Sequence, residues 1–337
     1  MIPLMKNTKL PLELEAVRVA KAQKFTIEKE IYRGSFYSPK HVRNLIYVGR
    51  IAGKPAVLKI YADPRLTDEP RSLAAFHQFN RSNTLTAPKL YAWAMTSPYA
   101  GWMIVELLPA GGAFFQTPLT PAARQEFLQV YREYRYSFPQ KPTRELELAE
   151  QLPADEFTTL RLNRWVAMAH EKEAARAMQG RKRLFTSQDV RRYVAGARVV
   201  RAGLQERPMM WCHGHFKPQE VYKTKQGKYY LLDFAHTHLF PQGYEFGFMV
   251  WADQFMTLNE HTSFKSLQAS VQEWITDFMP IAKELRWDNF TDLARVSVIE
   301  RILGTIFADI GASDQPFSVK RQKIDLLWKV FDSLKKE

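Results

Sequence analysis

Residues 211–234 read WCHGHFKPQEVYKTKQGKYYLLDF. The stretch leaves an apolar start at Trp211 and Cys212 and enters a polar turn, His213-Gly214-His215-Phe216-Lys217-Pro218-Gln219-Glu220. Gly214 permits tight backbone between the two histidines. A hairpin pattern follows, with Gly227 at its bend, and its second arm, YYLLDF, is an apolar strand that ends on one acid, Asp233. Imidazole, ammonium and carboxylate groups are thus gathered in one loop, a short hairpin away from a second carboxylate.

Upstream of this stretch, from Phe25 to Glu106, the pattern is mainly that of strands. FTIEKEIY alternates apolar and polar residues, as a half-buried strand does. NLIYVGRI and AVLKIY flank Ala52-Gly53-Lys54-Pro55, a tight hairpin connection. In TDEPRSLAAFHQFN, Asp68 and Glu69 stand before Pro70, which marks a helix start. KLYAWAM and GWMIVELL read as two more strands, so this part is β-β-β-α-β-β. LPAGG, Leu108 to Gly112, reads as a hinge.

Most of the rest has helical periodicity, over Pro121–Tyr136, Asp155–Met178 and Ser187–Gln205, then 244–258, 262–285, 289–311 and 318–335. The loop and strands of 209–240 interrupt it. Residues 1–24 form an N-terminal extension, 25–108 a first lobe, and 109–337 a helical second lobe carrying the loop 211–240.

The 337 residues suffice for two lobes with a sizeable core. The single cysteine, Cys212, excludes an intrachain disulfide and a cysteine-based metal site. No apolar run approaches a membrane span, and the first residues lack the apolar core of a signal peptide. The expectation is a soluble cytoplasmic protein with no membrane partner. The net charge of +13 is uneven: residues 1–100 hold 16 Lys+Arg against 7 Asp+Glu, and 201–337 are balanced at 17 each. A basic front half favours anionic partners, such as a nucleotide or an anionic small molecule, over polycations. The basic stretch ending in Gly180-Arg181-Lys182-Arg183 is better read as a solvated face than as a nucleic-acid contact.

Lys59 sits inside a strand among apolar neighbours, where a cation needs a partner. A triphosphate or Glu69 would supply one. With Lys59, the hairpin spacing and Asp233 in place, the chain resembles the aminoglycoside phosphotransferase/choline kinase superfamily, within the protein-kinase-like fold, over about residues 25–310. HGHFKPQE stands where that family has His-Gly-Asp-x-x-x-x-Asn, and resembles the His-Arg-Asp-Leu-Lys-Pro-x-Asn loop of protein kinases through Lys217 and Pro218. LLDF resembles the magnesium-holding strand, and VELLPAG the hinge that meets adenine.

The resemblance implies an α+β, bilobal fold: an antiparallel sheet with one helix, then a mostly helical lobe. It implies ATP or GTP with Mg2+ between the lobes. Lys59 would contact the phosphates, Glu69 would fix Lys59, and Glu106, Leu107 and Leu108 would meet the purine. Asp233 would hold the metal. His213, Gly214 and Lys217 would support the loop, and Glu245, in GYEFGFMVW, would brace it where the family has an Asp.

Two positions depart from the family. His215 replaces the catalytic Asp, and Glu220 replaces the metal-ligating Asn. An imidazole accepts protons near neutral pH, and Glu220 offers a hard oxygen. The expected function is a nucleotide-binding, kinase-like protein with degraded or atypical phosphoryl transfer, that is, a pseudokinase. One alternative is an active kinase acting on a hydroxyl, with His215 as base and Glu220 and Asp233 on the metal. Another is a transition-metal hydrolase. Its Mn2+ or Zn2+ would sit on His213-x-His215 and His236-x-His238, each pair sharing one face of a strand.

Overall fold

The computed structural model describes residues 12–34, 42–63, 68–138 and 152–336. RGSFYSPKH, residues 33–41, stands where the resemblance puts a phosphate-covering turn but has a single glycine, Gly34; its residues 35–41 lie outside the described residues. In chain order the first elements are α1 (Leu12–Ala22), β1 (Phe25–Gly34), β2 (Asn44–Ile51), β3 (Lys54–Tyr61), α2 (Glu69–Phe79), β4 (Leu85–Thr86), β5 (Leu90–Ser97) and β6 (Ala100–Glu106). Next come β7 (Ala113–Phe114), α3 (Pro121–Ser137), α4 (Ala154–Met178), α5 (Ser187–Leu204), β8 (Met209–Cys212), β9 (Val221–Lys223), β10 (Tyr229–Leu231) and β11 (His238–Pro241). The chain ends with α6 (Tyr244–Val250), α7 (Phe264–Glu284), α8 (Phe290–Gly304) and α9 (Phe317–Lys336). Contacts sort them into two compact units, residues 1–113 with 222–237, and residues 114–221 with 238–337.

The first unit is built on an antiparallel sheet of order β1-β2-β3-β6-β5. The β2–β3 turn places Ala52 and Gly53 at φ 47° and 77°, the paired left-handed geometry whose twist suits a two-residue hairpin. Alternation then sorts β3. Ala56, Leu58 and Ile60 are fully buried in a core with Leu45, Trp102 and Ile104, and Lys59 points to the opposite face.

The N-terminal extension supplies an element that the sequence reading left undefined. Ala16, Val19 and Ala20, at helical spacing, make one side of α1 apolar and join the sheet's core. Arg33, at the end of β1, pairs with Glu13 of that helix. The alternation in β1 predicts a half-buried strand, yet only Phe25 is buried. Two register shifts break the alternation, and β1 is an edge strand with cover on one side only.

Helix α2 starts on Glu69 with Pro70 in its first turn, where proline's missing N–H costs nothing. It buries Leu73 and Phe76. The Phe76 ring meets that of Phe234, centroids 5.1 Å apart, and β10 adds in parallel to β4. Segment 222–237 is therefore held to this unit, far along the chain from the sheet.

The second unit is helical, with β8 and β11 as a two-stranded antiparallel ribbon. The expected helix 244–258 is α6 extended by a π-helical turn, Trp251–Phe255, and the expected helix 289–311 is α8 extended by another, Thr305–Ile310. Trp211, Trp274 and Trp287 are core residues here.

Candidate functional site

In the first unit, β3 and the start of α2 bring Lys59 and Glu69 together. Lys59 Nζ donates to Glu69 Oε2, and the two residues are only 8% and 4% exposed. Burial pushes the Glu69 carboxyl up. The Lys59 ammonium pulls it back down, and the negative charge of Asp233 pushes it up again. That coupling brings Asp233 into the same electrostatic neighbourhood. Asp233 follows β10 at φ 57°, ψ 61°. A non-glycine residue held left-handed costs about 1 kcal/mol or more, and such positions concentrate at functional sites. One buried carboxylate, Glu69, thus feels both a cation and a second carboxylate.

The hinge residues leave β6 in the same unit. Glu106 N donates to Lys89 O at 2.8 Å, and Glu106 Oε2 accepts from Lys89 N at 3.1 Å. Leu107 N points to Pro55 O at 3.5 Å, a weak hydrogen bond. Leu108 opens the turn to Gly112. Tyr222, on β9, holds that turn from below: its hydroxyl accepts from Gly112 N at 2.8 Å and donates to Pro109 O. A side chain at Gly112 would meet Lys223 O and the Tyr222 ring within 2.3 to 2.7 Å.

In the second unit, the loop after β8 starts from a fully buried His213. Its backbone N–H is shared between Glu245 Oε1 (2.9 Å) and Tyr134 Oη (2.6 Å). Glu245, in the first turn of α6, is 2% exposed and accepts from the Tyr131 and Tyr134 hydroxyls at 3.0 and 3.2 Å. Arg135 Nη1 lies 3.5 Å from Glu245 Oε2 and donates to Trp211 O at 2.8 Å. Burial pushes the Glu245 carboxyl up, against Arg135, both tyrosines and the His213 amide. Burial, reinforced by Glu245, also drives the Cys212 thiol well above its ordinary range, so Cys212 is no nucleophile.

Gly214 turns the loop at φ 78°. The His215 ring stacks on Phe248 of α6, 4.9 Å between centroids and 17° between planes. Lys217 Nζ lies 3.0 Å from Glu220 Oε1, so the carboxylate at the departing position carries its own counter-ion. The strand faces expected of the two His-x-His pairs are not formed. His213 and His215 lie in a loop, and His236 ends a 3₁₀ turn before His238 begins β11. The shared strand faces that this part of the hydrolase reading assumed are therefore absent.

Sequence reasoning missed the supports around these residues. Arg135, Tyr131 and Tyr134 come from one turn of α3, and only their spacing in QVYREYRY hinted at a common face. Asp253 was missed as well. It is fully buried in the π-helical turn and accepts from Leu119 N (2.6 Å), Gln254 Nε2 (2.6 Å) and Trp274 Nε1 (2.8 Å). It anchors the segment whose Thr117 Oγ1 accepts from Gln219 of the loop at 2.9 Å. An acid inside the apolar run FMVWADQF was the available signal.

No family model and no curated protein matches the chain. Solved structures do. A thermostable mutant of aminoglycoside phosphotransferase APH(4)-Ia, in its apo form, is 12% identical with a TM-score of 0.58, over 95% of this chain and 98% of that one. A ternary complex of such a mutant with ADP and hygromycin B is 10% identical with a TM-score of 0.55, over 95% and 97%. Spectinomycin phosphotransferase APH(9)-Ia, bound to ADP and spectinomycin, is 10% identical with a TM-score of 0.51, over 94% and 98%.

Proposed function

We propose that this chain, which has the kinase-like fold of the aminoglycoside phosphotransferases, binds a purine nucleotide through its first unit and transfers phosphate poorly or not at all. The observation that carries the reading is the buried Lys59–Glu69 pair with Asp233 acting on it. A buried cation–carboxylate pair in the field of a second carboxylate is suited to the β- and γ-phosphates of a nucleotide and to the divalent ion that travels with them. Glu106, Leu107 and Leu108 would offer backbone groups to the purine. Asp233 supplies the hard oxygen that Mg2+ prefers. When bound, that ion would neutralise phosphate charge.

The second unit supports the view that catalysis is degraded. A phosphotransferase needs a group that takes or orients the acceptor's proton. His215 occupies that position but lies flat on Phe248. Glu220 is partly neutralised by Lys217. Glu245 and His213 keep the loop's form, so a shaped loop persists where the reactive groups have changed.

Thermal unfolding with ATP or GTP, with and without magnesium, tests the binding. The midpoint rises with nucleotide by mass action, and Lys59→Met abolishes the rise. No shift with either nucleotide, in a protein that is folded, removes the proposal. Metal-dependent turnover of ATP lost in His215→Ala would instead make the chain an active kinase using His215 as base.

A further inference from the structure

Residues 161–205 hold eleven Lys and Arg against three Asp and Glu, in a chain of net charge +13. Two of the three acids are engaged. Asp189 is buried and accepts from Arg321 and Trp328, and Glu173 accepts from Leu184 N. The connection between α4 and α5 exposes Arg181, Lys182 and Arg183. On α5, Arg191, Val194, Arg198 and Arg201 recur at three- and four-residue spacing, so they share one face, and all are exposed. Among the described residues Arg198 and Arg201 have no acidic partner.

We propose that this arginine face of α5, with the 181–183 connection, docks on an anionic lipid surface. Arginine forks match phosphate oxygens, and basic clusters on a helix are drawn to acidic leaflets. Exposed large apolar residues of α4 and α5 choose between anions. They are Val190 and Val194 on α5, and Met178 just before the 181–183 connection, 89% exposed. Aliphatic side chains among arginines suit the headgroup boundary. A single-stranded nucleic acid is bound on exposed aromatic platforms; the 191/194/198/201 face of α5 carries no aromatic residue, and Phe317, beside Lys182, is only half-exposed. The inference is independent of the nucleotide reading.

The test is co-sedimentation of the full chain with phosphatidylcholine vesicles and with vesicles containing about 30% phosphatidylserine. The protein partitions onto the second kind only, and the binding is lost near ~0.5 M salt, where charges are screened over a few ångströms. Arg191→Glu/Arg198→Glu/Arg201→Glu lowers the partitioning at least about tenfold. Its unfolding midpoint and that of the corresponding triple Gln variant show that the fold survives, and the Gln variant loses binding to a smaller extent. Equal binding to both vesicles, no binding to either, or full binding by a folded triple variant overturns the proposal. So does tighter binding to poly(U) than to the acidic vesicles, which would give the surface to nucleic acid.

Discussion

Replacing Glu245 by alanine should be among the most damaging single changes in the second unit. The carboxylate has four partners: the Tyr131 and Tyr134 hydroxyls, the His213 amide and Arg135. Arg135 is itself 1% exposed, so truncation leaves a buried guanidinium whose charge has lost its counter-ion. Breaking one side of a buried pair costs about 3–5 kcal/mol, against about 1 kcal/mol for an ordinary hydrogen bond. Total stabilities of roughly 5–15 kcal/mol make this a large fraction. Glu245→Gln keeps the shape and one acceptor but also leaves Arg135 without a counter-ion, so it should cost less than alanine only by the hydrogen bonds it retains, about 1 kcal/mol each. Urea unfolding at neutral pH measures both. Hydrogen exchange at the His213 amide reads the loop directly, because that N–H keeps only Tyr134 Oη as acceptor. Pairing Glu245→Leu with Arg135→Met should cost less than the sum of the single changes, since no lone charge remains. An alanine variant within about 1 kcal/mol of wild type would refute the view that this carboxylate holds the loop.

Lys59→Met leaves Glu69 buried beside Asp233 without its cation, so stability measured by urea unfolding should fall, and fall further as pH rises and Glu69 is forced to ionise. Adding Glu69→Gln should recover much of the loss. Asp189 carries the opposite sign. Burial alone would push its carboxyl up, but Arg321 and Thr186 hold it below the ordinary carboxylate range. Its stabilisation is therefore present above the unfolded-state value near ~3.9 and is lost as pH falls through the lowered folded-state value. Acid unfolding of Asp189→Asn should show a shallower pH dependence there. Gly112→Ala should cost about 1–3 kcal/mol by overpacking against Lys223 O and Tyr222 and should weaken the nucleotide-dependent thermal shift. His215→Asp with Glu220→Asn should raise ATP-dependent phosphoryl transfer above wild type, and equal turnover would mean that these two positions do not limit it.

Much of the fold was legible because period and spacing are local properties. The β2–β3 turn, the Pro70 helix start and the run of long helices follow from alternation, positive-φ turn residues and apolar faces. The HGHFKPQE-to-Asp233 spacing carried the family likeness. What stayed hidden depends on residues far apart in sequence. The apolar side of α1 is three small residues long and has meaning only against the sheet. β1 alternates yet stays exposed, because being an edge strand is a property of the sheet. The helices' π-helical ends were not visible in their periodicity.

The site divides along the same line. The residue types at 59, 69, 215, 220, 233 and 245 are matters of sequence, and so is the departure from Asp and Asn at two of them. Tertiary structure decided their condition. It buried Lys59 with Glu69, set Asp233 left-handed in the field of that pair, laid His215 on Phe248 and gave Glu220 its own lysine. It also put four partners on Glu245. The physical reason is that charge depends on surroundings: a side chain's identity gives it a proton or a charge to trade, and only desolvation and neighbours brought in by folding set the cost of trading it.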